Sequence, residues 1–391
     1  MRVIGLSSGT SIDGIDVAAA DLELTGDLLR MTPLGHRTVP YSPHLRRTIG
    51  EALPPAPTTM ETVCRIDTLA GQEFAAAAAR GAAELTGDTA ELVASHGQTL
   101  FHWVEEGRTA GSLQLGQPAW ISERTGLPVV ADLRAADVAA GGQGAPLASV
   151  LDVLLLHDRP APAAALNLGG IANVTVARGD APETAFDTGP GNALLDAAAS
   201  RVTDGREHAD TGGRWAASGN VADHVLRHLL SDPYYQRAPP KTTGKERFHA
   251  GYLADAIGGS DITAADLMAT LTELTAVTVA DALRPHGVGE VLASGGGTRN
   301  PVLMRRLADR LRPARLIPTD DIGLDSDAKE AYLFALLGFL TWNGLSGSLP
   351  GCTGARRAPV AGSITPGTAP LRLPAPHPTF PTRMRIDDAR H

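Results

Sequence analysis

The residue best suited to chemistry is Asp187, in the segment 186–192 with the sequence FDTGPGN. An aspartate beside a glycine-rich turn can act as a general acid or base, but it can also bond to the backbone of the turn or cap the following helix. Just before it, residues 167–176 (NLGGIANVTV) predict a turn of small residues and then an alternating strand. Small side chains leave the N–H groups of a turn accessible to a phosphate. We therefore expect a phosphate-binding turn with an acid or a base beside it.

A similar arrangement occurs in two other places. Residues 4–22 predict a strand, a small polar turn and a second strand, and residues 291–297 (VLASGGG) predict a strand that ends in three glycines. A single Gly-Gly turn most often only reverses the chain. Three turns, of which the first two would face each other across a cleft, suit a nucleotide, with two for its phosphates and one for its base. The candidate nucleotide contacts are Gly9, Thr10, Ser11, Ile12, Asp13, Gly14, Ile15, Asp16, Gly169, Gly170, Asn173, Gly295, Gly296 and Gly297.

A polar segment, His96 to Thr99, follows the strand predicted at 92–95. Loops at the carboxyl ends of strands in α/β sheets often carry ligand-binding groups. His96 could be a base, a hydrogen-bonding partner of a sugar or a buried core histidine. The candidate substrate contacts in this segment are His96, Gln98 and Thr99.

Arg134 follows another short strand, predicted at 128–131, and precedes a run of glycines at 141–144. Its guanidinium group could bind an anionic or polyhydroxyl ligand, or it could form an ion pair with a neighbouring aspartate. The glycines tolerate large backbone changes. We interpret this segment as a hinge where the chain passes from one domain to the next.

These segments resemble the anhydro-N-acetylmuramic acid kinase family. The resemblance extends in order over nearly the whole chain, and the segments that carry it include GLSSGTSIDGID (5–16), SHGQT (95–99), NLGGIANVT (167–175), FDTGPGNALLDA (186–197), DPYYQRAPPKTTGKE (232–246), GGGTRNPVLM (295–304) and TGARRAPVAGSITPG (353–367). It implies a two-domain α/β fold with a central cleft between the domains, the ATPase fold shared by sugar kinases, Hsp70 and actin.

The resemblance also implies an activity and a set of residues. Members of the family phosphorylate an anhydro amino sugar with ATP during cell-wall recycling in bacteria. The substrate implied has no free hydroxyl at carbon 6, so water must add at carbon 1 before oxygen 6 can accept the phosphoryl group. In this reading Asp187 activates the water and Glu330 acts at the sugar, whereas His96, Gln98, Thr99 and Arg134 bind the sugar. Mg²⁺ is implied as the partner of ATP, held largely by phosphate and water. The alternative role of Glu330 is to stabilise a helix N-terminus.

The composition excludes some classes of protein. The chain of 391 residues has a formal net charge of −9 and no basic block, which argues against a nucleic-acid partner. No apolar run approaches the length of a membrane span, and the N-terminus reads directly into a strand rather than a signal peptide. The two cysteines have no metal or redox spacing. We expect a cytoplasmic protein and leave a homodimer open.

The length favours two domains. We place the first at residues 1–135 and the second at 136–367, followed by a loose, proline-rich tail at 368–391. The hydrophobic pattern predicts helices at residues 60–85, 118–125, 149–157, 221–230, 264–283, 301–311 and 327–340.

Two other functions remain open. The first is a kinase for a different anhydro or amino sugar, which has the same fold and a different pocket. The second is a chaperone-like ATPase, but that class needs a peptide-binding domain, and only a short tail follows residue 367.

Overall fold

The computed structural model describes residues 1–9, 12–160, 162–179, 182–239, 241–244 and 246–388. In this part of the chain the strands are β1 (Arg2–Ser8), β2 (Gly14–Thr25), β3 (Leu28–Pro40), β4 (Leu92–Glu105), β5 (Arg108–Leu115), β6 (Val129–Ala131), β7 (Ala163–Leu168), β8 (Ile171–Ala177), β9 (Thr184–Pro190), β10 (Glu290–Ser294), β11 (Arg315–Pro318), β12 (Ser363–Thr365) and β13 (Arg383–Ile386).

Helices connect these strands. They are α1 (Pro43–Ala52), α2 (Met60–Thr86), α3 (Pro118–Thr125), α4 (Ala135–Ala139), α5 (Ala148–Leu156), α6 (Ala193–Val202), α7 (Arg214–Ser218), α8 (Asp223–Leu230), α9 (Ala250–Ile257), α10 (Ala264–Leu283), α11 (Pro301–Leu311), α12 (Lys329–Trp342) and α13 (Pro350–Thr353). Short 3₁₀ helices lie at Thr211–Gly213, Pro233–Gln236, Arg284–His286, Gly296–Arg299 and Thr319–Ile322.

The chain divides into two compact units, each with its own sheet. Unit 1 comprises Met1–Asp158 and Ala328–His391, and unit 2 comprises Arg159–Asp327. The α/β class is therefore confirmed, but the predicted boundary near residue 135 is wrong. The glycine run at 141–144 lies inside unit 1, and residues 328–367 return to unit 1 because α12 packs against its first strand.

Unit 1 is built on an eight-stranded mixed sheet with the order β12-β6-β4-β1-β2-β3-β13, and β5 pairs with β4 outside this path. β1 and β2 form the predicted antiparallel hairpin, in which Leu6 is the partner of Val17. A Cβ at Gly5 would overlap the Ala331 carbonyl of α12, whereas a Cβ at Gly81 of α2 would meet Val17 at 2.6 Å. Gly5 and Val17 point to opposite faces because side chains alternate along paired strands. The two long helices therefore cover opposite faces of the sheet.

Unit 2 is built on a five-stranded sheet with the order β11-β10-β7-β8-β9. β7, β8 and β9 form an antiparallel meander, while β10 and β11 run parallel to β7. Helices α10 and α11 are joined by the buried Glu273, which accepts from Arg306 at 2.6 Å and from Arg310 at 2.7 Å. The turn and the alternating strand predicted at residues 167–176 are both present in this unit, as the Gly169–Gly170 turn and β8.

The described part of the tail, which reaches residue 388, contains a strand, and this contradicts the prediction of a loose segment. β13 pairs in parallel with β3 and completes one edge of the unit 1 sheet. Met384 is 1% exposed, and Arg30 donates to Asp387 at 3.0 Å. The proline content misled the prediction, because the prolines precede the strand and do not interrupt it.

Two further expectations were tested by the structure. The segment 96–99 lies within β4, which continues to Glu105, and not in a loop after a shorter strand. The helices predicted at 118–125, 264–283 and 301–311 have the observed bounds.

Across the described ranges, the structure contains no helix of the length and apolar character that crossing a membrane would require.

Candidate active site

Asp187 lies in the edge strand β9, next to Asn173 of β8 in the strand register. On its other side it contacts the extended segment 241–244. The Asp187 N–H donates to the Lys241 carbonyl at 3.0 Å, and its Oδ2 accepts from the Thr243 N–H at 2.8 Å. The carboxylate is thus held by a backbone donor, which fixes its orientation without neutralising its charge.

Tyr234, one of a group of aromatic residues, also contacts the backbone of Asp187. The Tyr234 hydroxyl donates to the Asp187 carbonyl at 2.8 Å, and the Lys241 Nζ lies 4.8 Å from the centre of the Tyr234 ring. Tyr235 and Phe248 stack on each other with their ring centres 6.1 Å apart. Segment 232–246 is one of those that carry the family resemblance, but its sequence indicates no contact with Asp187. Its adjacent tyrosines and polar residues were visible, but nothing in their spacing reveals a partner some fifty residues earlier.

The surroundings of Asp187 raise the pKa of its carboxyl group. Burial raises the pKa of its carboxyl to about 6; the Thr243 N–H opposes the shift, the Glu246 charge adds to it and the Lys241 charge opposes it. A carboxylate with a pKa near 6 is mostly ionised at neutral pH and is a stronger base than an ordinary aspartate. Asp187 is therefore suited to take a proton from water.

The Gly169–Gly170 turn contacts the start of α6. The Gly169 carbonyl accepts from the Asn192 N–H at 2.8 Å, and the Gly170 carbonyl accepts from the N–H groups of Gly191 and Ala193 at 2.9 Å each. A Cβ at Gly191 would overlap the Gly169 carbonyl, which explains the glycine at that position. The predicted turn is therefore present, and its carbonyls anchor the helix that follows the candidate base.

The three glycines after β10 have different surroundings. A Cβ at Gly295, where φ is +86°, would meet the Asn167 Oδ1 at 2.6 Å, and one at Gly297 would meet the Leu168 Cβ at 2.7 Å. A Cβ at Gly296 would have no atom within 4 Å. Packing thus explains the first and third glycines, and the second faces open space next to the end of β7.

The β1–β2 turn contains the other predicted nucleotide contacts, of which Thr10 and Ser11 lie outside the described residues. The Ile12 N–H donates to the Gly9 carbonyl at 3.3 Å, with Ile12 at a φ of +53°. Ile12 and Ile15 have buried side chains, so they support the turn from the core. A Cβ at Gly14 would meet the Val39 carbonyl at 2.6 Å, which explains this glycine by close strand packing.

Two acidic side chains lie beside this turn. Asp13 is exposed, whereas Asp16 is partly buried and accepts from the Thr38 hydroxyl at 2.6 Å. Burial raises the pKa of Asp16; the Thr38 hydroxyl opposes this, and the Asp13 and Glu330 charges add to it. Asp16 thus lies within electrostatic range of both carboxylates.

The His96 ring is buried, with both nitrogens in use. Its Nδ1 donates to the Gly97 carbonyl at 2.9 Å, and its Nε2 accepts from the Arg134 Nε at 2.9 Å. Burial, with a smaller contribution from the Arg134 charge, lowers the pKa of His96 to about 3. The imidazole is therefore neutral at physiological pH and accepts a hydrogen bond from Arg134, and the predicted sugar contact of His96 stays a prediction.

Arg134 is held from two sides, because its Nη1 also donates to the Gly144 carbonyl at 2.7 Å. Gly144 is in turn fixed by the buried Asp137, whose Oδ2 accepts from the Gly144 N–H at 2.8 Å. The Thr353 hydroxyl donates to the other oxygen of Asp137 at 2.8 Å. The predicted hinge is thus a pinned turn that positions Arg134, and the chain enters unit 2 only at Arg159.

Gln98 is also buried. Its Oε1 accepts from the Ser8 hydroxyl at 2.8 Å, and its Nε2 donates to the Gly9 carbonyl at 3.4 Å. These bonds tie β4 to the β1–β2 turn. Thr99 is partly buried, and its Oγ1 accepts from Gln114 at 3.2 Å. The structure thus gives Gln98 a supporting position, and the direct sugar contacts of Gln98 and Thr99 stay predictions.

Glu330 is exposed in the first turn of α12. The Ser7 hydroxyl donates to its Oε2 at 3.4 Å. Its charge raises the pKa of Arg134 against the larger lowering effect of burial, so the two groups lie within electrostatic range. Unit 1 thus brings together Ser7, Asp16, Arg134 and Glu330, and Ser7 is a member that sequence reasoning did not assign.

Comparison with known proteins agrees with the resemblance in the sequence. The family model described as anhydro-N-acetylmuramic acid kinase matches residues 1–367. A protein of that name from Streptomyces coelicolor is 58% identical over 387 residues, covering 99% of both chains. Another from Rhodococcus erythropolis is 54% identical over 395 residues, covering 99% of this chain and 100% of its own.

The chain belongs to the anhydro-N-acetylmuramic acid kinase family. The match covers both units, and it includes the segments that hold Asp187, His96, Arg134 and Glu330. The nucleotide contacts predicted for the glycine turns of both units stay predictions.

Solved structures resemble the chain only loosely. Component A of (R)-2-hydroxyglutaryl-CoA dehydratase from Acidaminococcus fermentans has a TM-score of 0.44 at 11% identity, with 87% of this chain and 98% of that chain covered. A ROK family glucokinase from Streptomyces griseus has a TM-score of 0.36 at 15% identity, with coverage of 87% and 99%.

Proposed function

We propose that this protein phosphorylates 1,6-anhydro-N-acetylmuramic acid with ATP and opens its anhydro bridge with water, giving N-acetylmuramic acid 6-phosphate. The family and the identity to relatives of that name support the substrate. The observation that carries the chemistry is Asp187, a fixed carboxylate whose pKa is raised to about 6. The product fits a role in the recycling of peptidoglycan.

The proposed reaction begins with the addition of water at carbon 1 of the sugar. Asp187 takes a proton from water as the water oxygen bonds to carbon 1. The bond between carbon 1 and oxygen 6 breaks, oxygen 6 bonds to the γ-phosphorus, and ADP leaves. The proton on Asp187 is then released to solvent, so one water and one ATP are consumed for each sugar.

The other residues are assigned supporting roles in this proposal. Arg134, held by His96 and the Gly144 carbonyl, would bind the carboxylate of the lactyl group. Glu330 would orient the sugar or supply a proton. Gly9, Thr10, Ser11, Asp13, Gly169, Gly170 and Asn173 would lie along the phosphates, and Gly295 to Gly297 near the adenosine.

Mg²⁺ would neutralise charge on the triphosphate. In the ranges that the structure describes, no group of three or more His, Cys, Asp or Glu side chains could hold a metal ion. Asp13 and Asp16 therefore fit a partial role at most, and phosphate and water oxygens would supply most ligands. A cytoplasmic location, where ATP is available, and a homodimer belong to the same proposal; light scattering of the purified protein tests the latter.

A coupled ADP assay with the anhydro sugar, ATP and Mg²⁺ tests the activity. We expect turnover with this sugar and much less with free N-acetylmuramic acid, N-acetylglucosamine or levoglucosan. Turnover that prefers one of these would favour the alternative, a kinase for a different anhydro or amino sugar.

The reaction in H₂¹⁸O tests the route. Product quenched before it exchanges through the open-chain form should carry the label at carbon 1 and none in the phosphate. Label in the phosphate would show that water attacks ATP, which would make the protein an ATPase.

A further inference from the structure

A buried ion pair joins α5 to the first residue of α12. The Lys329 Nζ lies 2.5 Å from the Asp152 Oδ1, and the two side chains are 9% and 6% exposed. Asp152 is the only charged residue of α5, whose sequence is ASVLDVLLL and whose other residues from Ser149 onward are also buried. The pair is thus set in otherwise largely apolar packing within unit 1.

The position of Lys329 is unfavourable by itself. It begins α12, where the helix dipole repels a positive charge, and its burial costs solvation of the ammonium group. A buried ion pair of this kind often adds little stability over well-packed apolar side chains, although removing one partner alone is strongly destabilising. Stability is therefore a weak explanation for the pair, and its location offers a better one.

The pair lies where both connections between the units leave unit 1. α5 is the last helix before the chain enters unit 2 at Arg159, and α12 is the first helix after the chain returns at Ala328. The next residue, Glu330, is exposed and contacts Ser7. Successive side chains on a helix are about 100° apart, as 3.6 residues complete one turn, so an inward Lys329 sets the direction of Glu330.

We propose that Asp152 and Lys329 are positioning residues. Their ion pair fixes the rotation of the first turn of α12, and so directs Glu330 towards Ser7 and the sugar, and it anchors both chain connections at one point. The part that concerns sugar binding rests on the proposed function.

The test is an apolar replacement of the pair, Asp152→Leu with Lys329→Met. We expect the double variant to melt within a few degrees of the wild type or above it. At the same time its KM for the anhydro sugar should rise tenfold or more, with the KM for ATP changed less than twofold. Deuterium uptake over residues 328–336 should become at least tenfold faster, while uptake elsewhere in unit 1 stays unchanged.

A control pair and two contrary outcomes make the test specific. Arg2 and Asp21 form an ion pair at 2.7 Å at the other end of β1, so Arg2→Gln with Asp21→Asn should leave sugar KM and the uptake over 328–336 unchanged. A stable double variant with wild-type sugar KM and wild-type uptake would overturn the proposal. So would a variant that loses stability and exchanges faster throughout unit 1, since the pair would then be a general stabiliser.

The exchange measurement also separates this proposal from the proposed function. It needs neither sugar nor ATP, so a wild type that fails to turn over the anhydro sugar would refute the function and leave the exchange test intact. If the double variant does not fold, the wild type decides: residues 332–336 of that segment, whose N–H groups donate within α12, should be among the slowest-exchanging residues of unit 1. Fast exchange there in the wild type would overturn the proposal.

Discussion

At the scale of single residues, Asp187 has the properties of a general base. It is partly buried, a backbone N–H holds one oxygen, and its pKa is raised to about 6. His96, which the sequence also offered as a base, has both ring nitrogens bonded and a pKa lowered to about 3. The opposite directions of the two pKa shifts and the different hydrogen bonding therefore separate two candidates that residue type alone did not.

Asp187→Asn should keep the shape and the Thr243 contact but lose the ability to accept a proton. We expect turnover to fall by about 10²-fold or more. In the wild type, kcat should rise with pH through about 6, because the base acts only when ionised. Asp204→Asn, an exposed change in the same unit, should leave turnover unchanged. Near-normal turnover of Asp187→Asn would show that Asp187 is not the general base.

A substitution at Gly296 tests whether this glycine lies close to the bound nucleotide. A Cβ there meets nothing within 4 Å, so Gly296→Ala should fold normally and raise the KM for ATP about tenfold, if crowding costs the ligand ~1–2 kcal/mol. Gly50→Ala, which also faces open space in unit 1, is the matched control. Steady-state kinetics and melting curves of both variants check this, and an unchanged KM for ATP would show that the nucleotide does not approach Gly296.

At the scale of elements, the site depends on an irregular segment as much as on strands. Residues 241–244 lie alongside β9 and supply the donor to Asp187, although they are not assigned to a strand. Likewise the turn at 141–144 is anchored by Asp137 and holds Arg134. Neither segment is a helix or a strand, and each holds a candidate site residue by a hydrogen bond.

Thr243→Pro tests the support of Asp187, because proline has no N–H to donate. The lost hydrogen bond favoured the ionised carboxylate, so the pKa of Asp187 should rise further and the acid limb of the kcat profile should move to higher pH. Thr243→Ala keeps the N–H and should retain the wild-type limb. A limb at the same pH in all three proteins would contradict the role of this bond.

Some helices and strands can be predicted from local sequence patterns, and others cannot. The hairpin of β1 and β2, the Gly169–Gly170 turn with β8, and helices α10 and α11 follow from periodicity and turn residues, which are local signals. The return of residues 328–391 to unit 1 depends on contacts between distant parts of the chain, such as Gly5 against α12. Local patterns carry no record of those contacts. For the same reason the sequence predicts Asp187 beside a glycine-rich turn, but it does not predict the partners of Asp187, Tyr234 and Thr243.

At the scale of the whole molecule, the buried carboxyl of Asp187 carries a cost in stability when it is ionised. The pKa of Asp187 is raised in the folded protein from an ordinary value of 3.8 to about 6. A carboxyl group whose pKa is raised by folding stabilises the folded state at pH values below its unfolded pKa, where it is protonated. That contribution is lost as the pH rises through about 6, because the folded protein must then hold a desolvated carboxylate.

Asp187→Asn should therefore be more stable than the wild type at pH 8 and not at pH 4. The difference should approach 2–3 kcal/mol at pH 8, since each pKa unit corresponds to about 1.4 kcal/mol. Urea unfolding of both proteins between pH 4 and 8 measures it. A difference that does not grow with pH would show that the carboxylate is not desolvated.

The end of the chain should matter for stability as well. Met384→Ala removes a side chain that is 1% exposed in β13, and we expect a loss of about 2 kcal/mol or more. Leu373→Ala, at an exposed position before β13, is the control and should be neutral. Equal stability of the two variants would mean that the tail contributes nothing to unit 1.

The division of unit 1 into two pieces has a consequence for how the protein is made. Unit 2 is a single continuous stretch, so it can fold as soon as Asp327 has left the ribosome. Unit 1 begins first but lacks α12 over one face of its sheet, and the strands β12 and β13 at its edges, until residue 386 has been synthesised. During translation the nascent sheet therefore presents an uncovered apolar face and unpaired edges, the surfaces that chaperones bind. The part of the enzyme that starts first is thus the last to mature.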